Sequence, residues 1–210
     1  KNRFEEIYIH AMRYFAIQEK FTYKRYQSGE LSEKDFIKEC SSFLKHNFEE
    51  MRLTEKDILN GSEETWDFKA MMNRLYISVF GYDVLQPLID HPEMSDVKIC
   101  APDDIRVRVG GKAYQSDAYF IDEDDLVRFV EGIAIRNHIN MDAQPMLTFT
   151  DAHDKNYILR FCISNPSVCS VDYPYLHIRK IPKNKLNFDQ LIERKLLNKK
   201  VKEYLIDRAK

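Results

Sequence analysis

Arg160 and Arg179 are the side chains of this 210-residue sequence whose surroundings ask most insistently for chemistry. In Tyr157–Ser164, Leu159, Phe161 and Ile163 fall on one side of an extended chain, with Ile158, Arg160 and Cys162 on the other. A cation set between Ile158 and Cys162 is partly desolvated and needs an anionic partner. Arg179 is placed likewise in Leu176-His177-Ile178-Arg179-Lys180. An internal salt bridge to Asp or Glu would meet the need.

The other reactive side chains match no catalytic pattern. A phosphate-binding P-loop needs G-x-x-x-x-G-K-[ST], because its amides and Lys must converge on the phosphates. The nearest approach is Gly111-Lys112, but Ala113 cannot serve a magnesium ion and Arg106 stands where the first Gly belongs. No G-x-G-x-x-G, H-E-x-x-H or G-x-S-x-G occurs. The six His are isolated along the chain. Asp122-Glu123-Asp124-Asp125 reads as a helix cap, since adjacent side chains at a helix start point different ways. Cys40, Cys100, Cys162 and Cys169 form no C-x-x-C pair and no zinc spacing. They read as small buried hydrophobes of a cytosolic protein.

The elements that must position the arginines follow from hydrophobic periodicity. Over residues 1–80, Phe4, Ile7, Ala11, Tyr14 and Phe15 mark one helix, expected to end near Gln27-Ser28-Gly29. Ser32-Glu33-Lys34-Asp35 opens a second, with Phe36, Ile37, Cys40, Phe43 and Leu44 as its stripe. A third is expected from around Thr54 or Ser62, through Trp66, Phe68, Met71, Met72, Leu75, Tyr76 and Phe80. This segment reads as a small helical bundle. Over residues 81–182 the period changes to two. Val97–Ala101 and Ile105–Val109 alternate as strands, and Gly110-Gly111 is a hairpin signal. A helix is expected over 123–139, then strands at Met146–Thr150, Tyr157–Ser164 and Tyr175–Ile181. Strands grouped around one helix predict an α+β layer with a mainly antiparallel sheet. Residues 183–210 return to helix, with a capping box at Asn187-Phe188-Asp189-Gln190 and apolar Leu191, Ile192, Leu196, Leu197, Val201 and Leu205.

Composition bounds the function. Hydrophobic residues make up 44% and charged residues 31%, with 13 Phe and 12 Tyr, so intrinsic disorder is excluded. The three segments carry net charges of −1, −6 and +5, which give the chain its −2. No global cationic field exists to hold a nucleic-acid backbone, and no direct nucleic-acid partner is expected. No apolar run approaches membrane-spanning length. The start, Lys1-Asn2-Arg3-Phe4-Glu5-Glu6, has neither an initiator Met nor a signal peptide's apolar stretch, as in an excised piece of a longer chain.

The stretch from Val84 to about Ile192 resembles the N-terminal domain of secretion ATPases of the type II/IV secretion and Flp/Tad pilus class. The corresponding parts are Val84-Leu85-Gln86-Pro87-Leu88-Ile89-Asp90-His91-Pro92-Glu93-Met94-Ser95-Asp96-Val97, then Ala101-Pro102-Asp103-Asp104-Ile105-Arg106-Val107 and Gly111-Lys112. Pro145, the Arg160 strand and Leu176-His177-Ile178-Arg179-Lys180 complete them. The resemblance implies a cytoplasmic ring ATPase, usually a hexamer, driving pilus assembly or secretion at the inner membrane. It implies a PAS-like α/β module over 81–182, and a helical linker over 183–210 toward a RecA-like P-loop domain. ATP and Mg would bind in the full-length protein, with Arg160 and Arg179 reaching the phosphates. Partners would be the chain's own ATPase domain, neighbouring ring subunits and an inner-membrane platform protein. This piece alone would not hydrolyse ATP.

The family usually places Asp-Gly shortly before the first of these arginines. Asp151-Ala152-His153-Asp154-Lys155-Asn156 has no Gly. Two other functions remain open: a free-standing PAS-like sensor of a small apolar ligand, and a helical-bundle adaptor whose sheet is only a scaffold.

Overall fold

Apolar residues spaced three and four apart make helices in the first part of the chain. The computed structural model describes residues 3–17, 25, 29–30, 32–50 and 68–209. Helix α1 spans Arg3–Ile17, α2 Glu33–Glu50 and α3 Phe68–Phe80. Ser32 caps α2, its hydroxyl oxygen accepting from the Asp35 N–H at 3.2 Å. Ile7, Tyr8 and Ala11 of α1 meet Phe36 and Cys40 of α2 and Met71, Leu75 and Val79 of α3 in one buried cluster. The expected end of the first helix at Gln27-Ser28, the start of the third at Thr54 or Ser62, and Trp66 lie outside the described residues.

Beyond α3 the chain passes through a 3-10 turn, Asp83–Leu85, into the short helix α4, Gln86–Asp90. Six strands and one long helix follow: β1 Met94–Ala101, β2 Asp104–Val109, β3 Lys112–Gln115, α5 Glu123–Arg136, β4 Met146–Asp151, β5 Tyr157–Ser164 and β6 Tyr175–Pro182. Their order is β3-β2-β1-β6-β5-β4 and every pairing is antiparallel. The sheet is thus two three-stranded meanders joined where β1 meets β6. The fold is the expected α+β mixture of helices and an antiparallel sheet.

Gly110 and Gly111 turn β2 into β3 with φ of 56° and 82°, which L side chains adopt only under strain. Helix α5 stops at Arg136, short of the expected residue 139, because Asn137 forms its C-cap and His138 turns left-handed with φ 57°. Leu126, Phe129, Val130 and Ile133 of α5 join Val97, Ile99, Ile105, Leu159, Phe161 and Ile178 in the sheet's core. Each such side chain contributes about 1.5–3 kcal/mol by leaving water. Phe149 and Phe161 stack at 5.2 Å across β4 and β5.

The chain then continues through α6, Phe188–Glu193, and α7, Lys199–Arg208. The capping box at Asn187 and Gln190 forms as its spacing implied. No helix among the described residues is long and apolar enough to cross a membrane. The cysteines depart from expectation. Only Cys40 is buried; Cys100 is exposed, and Cys162 and Cys169 are half-buried. Cys100 and Cys162 alternate with core-facing Ile99, Phe161 and Ile163, so the pleat turns them away from α5.

Candidate functional site

Strand alternation places Arg160 and Arg179 on the sheet face turned away from α5, and the β5–β6 register sets them directly opposite each other. Their Cα atoms are therefore about 5 Å apart. The row continues both ways, as Thr150, Arg160, Arg179, Asp96 and Arg108 on β4, β5, β6, β1 and β2. Arg160 is exposed rather than partly desolvated. Ile158 and Cys162 are only half-buried themselves, and a long arginine stem carries its head past such neighbours into water. Among the described residues Arg160 has neither an ion-pair partner nor a side-chain hydrogen bond.

Arg179 is engaged from one side only. Its Nε lies 3.3 Å from Asp96 Oδ1, and its side chain stays 60% exposed. Asp96 itself is 7% exposed. It sits where β1 shifts register between Met94 and Asp96. His177 Nε2 approaches the same Oδ1 at 3.1 Å, and the Ser95 hydroxyl donates to Oδ2 at 2.8 Å. Burial works against the charge on Asp96. The hydrogen bonds from Ser95 and His177 and the nearby Arg179 outweigh it and hold the carboxyl below the usual range. His177 is therefore not isolated, as the sequence suggested, but part of this cluster.

The same face carries Lys98, paired in register with His177 and Arg106, beside Arg108. Arg106 is occupied by Asp104 through two hydrogen bonds of 2.9 and 2.8 Å. Lys98 and Arg108 make no ion pair among the described residues. Lys98, Arg106, Arg108, Arg160 and Arg179 thus face two carboxylates, Asp96 and Asp104. Such an arrangement attracts anions.

The turn lacking Asp-Gly is held by other means. Asp154 Oδ1 accepts from the N–H groups of Asn156 at 2.7 Å and Tyr157 at 3.3 Å, and Lys183 donates to the carbonyls of Ala152 and Asp154. The β4–β5 register runs unbroken from Met146↔Ser164 to Asp151↔Leu159, so Arg160 keeps its place opposite Thr150.

Arginines with internal carboxylate partners do exist, at positions the sequence did not single out. Arg74 Nε meets Asp83 Oδ1 at 2.8 Å. Arg128 donates to Tyr8 Oη at 2.7 Å, to Asp83 Oδ2 at 3.0 Å and to Asp125. Asp83 and Asp125 are buried, and burial followed by the Asp83 charge pushes the Tyr8 hydroxyl well up. This cluster joins α1, α3 and the Asp83 turn to α5. The helix-cap reading of Asp122–Asp125 holds: Asp122 accepts from the Asp125 N–H at 2.9 Å, Glu123, Asp124 and Asp125 put negative charge in the first turn, and Asp125 also accepts from the Ile121 N–H at 3.0 Å besides pairing with Arg128. Among the described residues no group of three or more His, Cys, Asp or Glu could hold a metal ion.

No family model matches the sequence, and neither does any curated protein. Among solved structures, the fold is similar to the VirB11 ATPase from the Brucella suis type IV secretion system, in complex with sulphate, with a TM-score of 0.46 and 16% identity. The likeness covers 54% of this chain and 34% of that one, so the chain spans about a third of that protein's length.

Proposed function

We propose that this chain is the N-terminal part of a cytoplasmic ring ATPase that powers type II/IV secretion, conjugative transfer or pilus assembly. In this reading Arg160 and Arg179 reach the phosphates of ATP bound by a C-terminal P-loop domain. The observation that carries it is the cross-strand pair itself. Like charges directly opposite each other destabilise a sheet, and nothing among the described residues relieves Arg160. A phosphate would relieve both arginines, since each offers a planar donor fork. The arginine pair fits the phosphate end of a nucleotide. Mg has no ligand cluster among the described residues and would come with the nucleotide and the P-loop domain. The ring neighbours and an inner-membrane platform protein are the partners this reading implies, with the protein peripheral at the inner face of the membrane.

The test uses the full-length protein beside the 210-residue chain. Arg160→Ala and Arg179→Ala should each lower ATP turnover, by as much as about 10³-fold if the arginine meets charge developing in phosphoryl transfer. Lys at either position should not restore it. Unchanged turnover in both variants, or a large fall in the melting temperature of the chain, would remove the assignment.

A further inference from the structure

We propose that Asp96 bounds this phosphate site: it confines a ligand's phosphates to the Arg160–Arg179 half of the face and keeps one continuous polyanion from also engaging Arg108 and Lys98. The inference rests on reading Arg160 and Arg179 as phosphate ligands and names the ligand's form. That form is a compact di- or triphosphate terminus, rather than an extended polyphosphate or a nucleic-acid strand.

The register supplies the argument. Asp96 is paired with Arg179 on one side and with Arg108 on the other, so its carboxylate lies one strand spacing from each. Arg160 to Arg108 is three spacings, roughly 14 Å, far enough for several phosphates of an extended chain. A chain following that row would have to pass over a carboxylate. Asp96 cannot easily turn aside, being 7% exposed and held by Ser95, His177 and Arg179. The opposite end of the row is Thr150, whose neutral hydroxyl repels no anion. The groups around Asp96 are otherwise donors or cations: Ser95 and Lys98 on β1, Arg106 and Arg108 on β2, His177 and Arg179 on β6. Among the described residues it is the one negative charge in the middle of this face, with Asp104 at the far end of β2, and the cationic area is divided there.

Two probes measure the division on the 210-residue chain by NMR titration at one low salt concentration: inorganic pyrophosphate and a 15-nucleotide oligothymidylate. In the native chain pyrophosphate should shift the Arg160 and Arg179 signals and leave those of Lys98 and Arg108 in place. Asp96→Asn, which keeps shape and most hydrogen bonds, should raise oligothymidylate affinity relative to pyrophosphate by roughly tenfold or more. The Arg108 signal should then move as well. Arg108→Ala in the native background should leave pyrophosphate affinity unchanged, and this exposed variant decides the matter if Asp96→Asn fails to fold. An unchanged affinity ratio in folded Asp96→Asn overturns the proposal. So does an Arg108→Ala loss as large as that of Arg160→Ala. If Arg160→Ala leaves pyrophosphate binding untouched, the phosphate-site reading itself falls and its boundary with it.

Discussion

Arg136, at the end of α5, donates to Asp151, at the end of β4, at 2.7 Å, and so fastens the helix layer to the sheet's edge strand. Asn137 Nδ2 adds a second bond to the same oxygen at 3.2 Å, and His153 Nδ1 lies 2.8 Å from the other. Arg136 also donates to the Gly81 carbonyl at 2.9 Å, tying in the segment that follows α3.

This knot gives a pH dependence whose sign can be worked out. Burial opposes ionisation of Asp151, but Arg136 and the bonds from His153 outweigh it and bring the carboxyl down to about 2. A carboxyl depressed in the folded state contributes stability that is present above the ordinary carboxylate range and lost as pH falls toward its folded value. The contribution is about 2 kcal/mol, lost between about pH 5 and pH 2. Urea midpoints of Asp151→Asn and the native chain should therefore differ most at neutral pH and converge in acid. A difference that stays constant through that window contradicts this.

Asp83 should be the costliest acidic residue to lose. It is buried between Arg74 and Arg128, and it occupies the left-handed region with φ 51°. Asp83→Ala leaves Asp125 as the one carboxylate shared by two partly buried cations and strains the turn, for an expected loss of about 3–5 kcal/mol. Asp83→Asn should lose less, because Asn tolerates that backbone conformation and still accepts hydrogen bonds. Chemical denaturation ranks the two, and equal losses would place the cost in the charge alone.

The arginine pair should behave in the opposite way. Arg160→Ala in the 210-residue chain is expected to leave stability unchanged or slightly raised, since it removes a like-charge neighbour. Arg179→Ala forfeits one exposed contact to Asp96 and should cost no more than about 1 kcal/mol. Thermal melting checks both, and a loss of several degrees at Arg160 would show a partner that the geometry does not contain.

Truncation in the core gives the scale for these effects. Phe161 is fully buried and stacked on Phe149, so Phe161→Ala should cost about 3–5 kcal/mol in urea denaturation. A cost near that of Arg179→Ala would mean that the two sheet faces are not as different as the alternation implies.

What could be read in the sequence was what repeats locally. Tyr157–Ser164 is the strand its alternation marked, because period two is a property of neighbouring residues. The same alternation brought out Arg160 and Arg179. Asp96 could not be found in that way, since its role depends on β1 lying beside β6, eighty residues further along. The expected helix stripe does not include Tyr8, and nothing in the local pattern singles out Arg74 or Arg128. Their partners come from four separate elements, and no single helix shows them. Asp125 was hidden by its neighbours: four consecutive acids look like one cap, yet only the helical turn puts Asp125 inward beside Leu126 and Phe129.

The seam between the two meanders bears on the order of assembly. β1–β2–β3 and β4–β5–β6 each close through short connections, whereas β1 finds β6 only across a long loop of chain, and such distant pairings form slowly. Arg160 and Arg179 belong to one meander and become neighbours as soon as it closes. Their counter-ion Asp96 belongs to the other and arrives only when the seam zips. A β4–β5–β6 meander closed ahead of the seam would hold the two guanidinium groups face to face without that carboxylate.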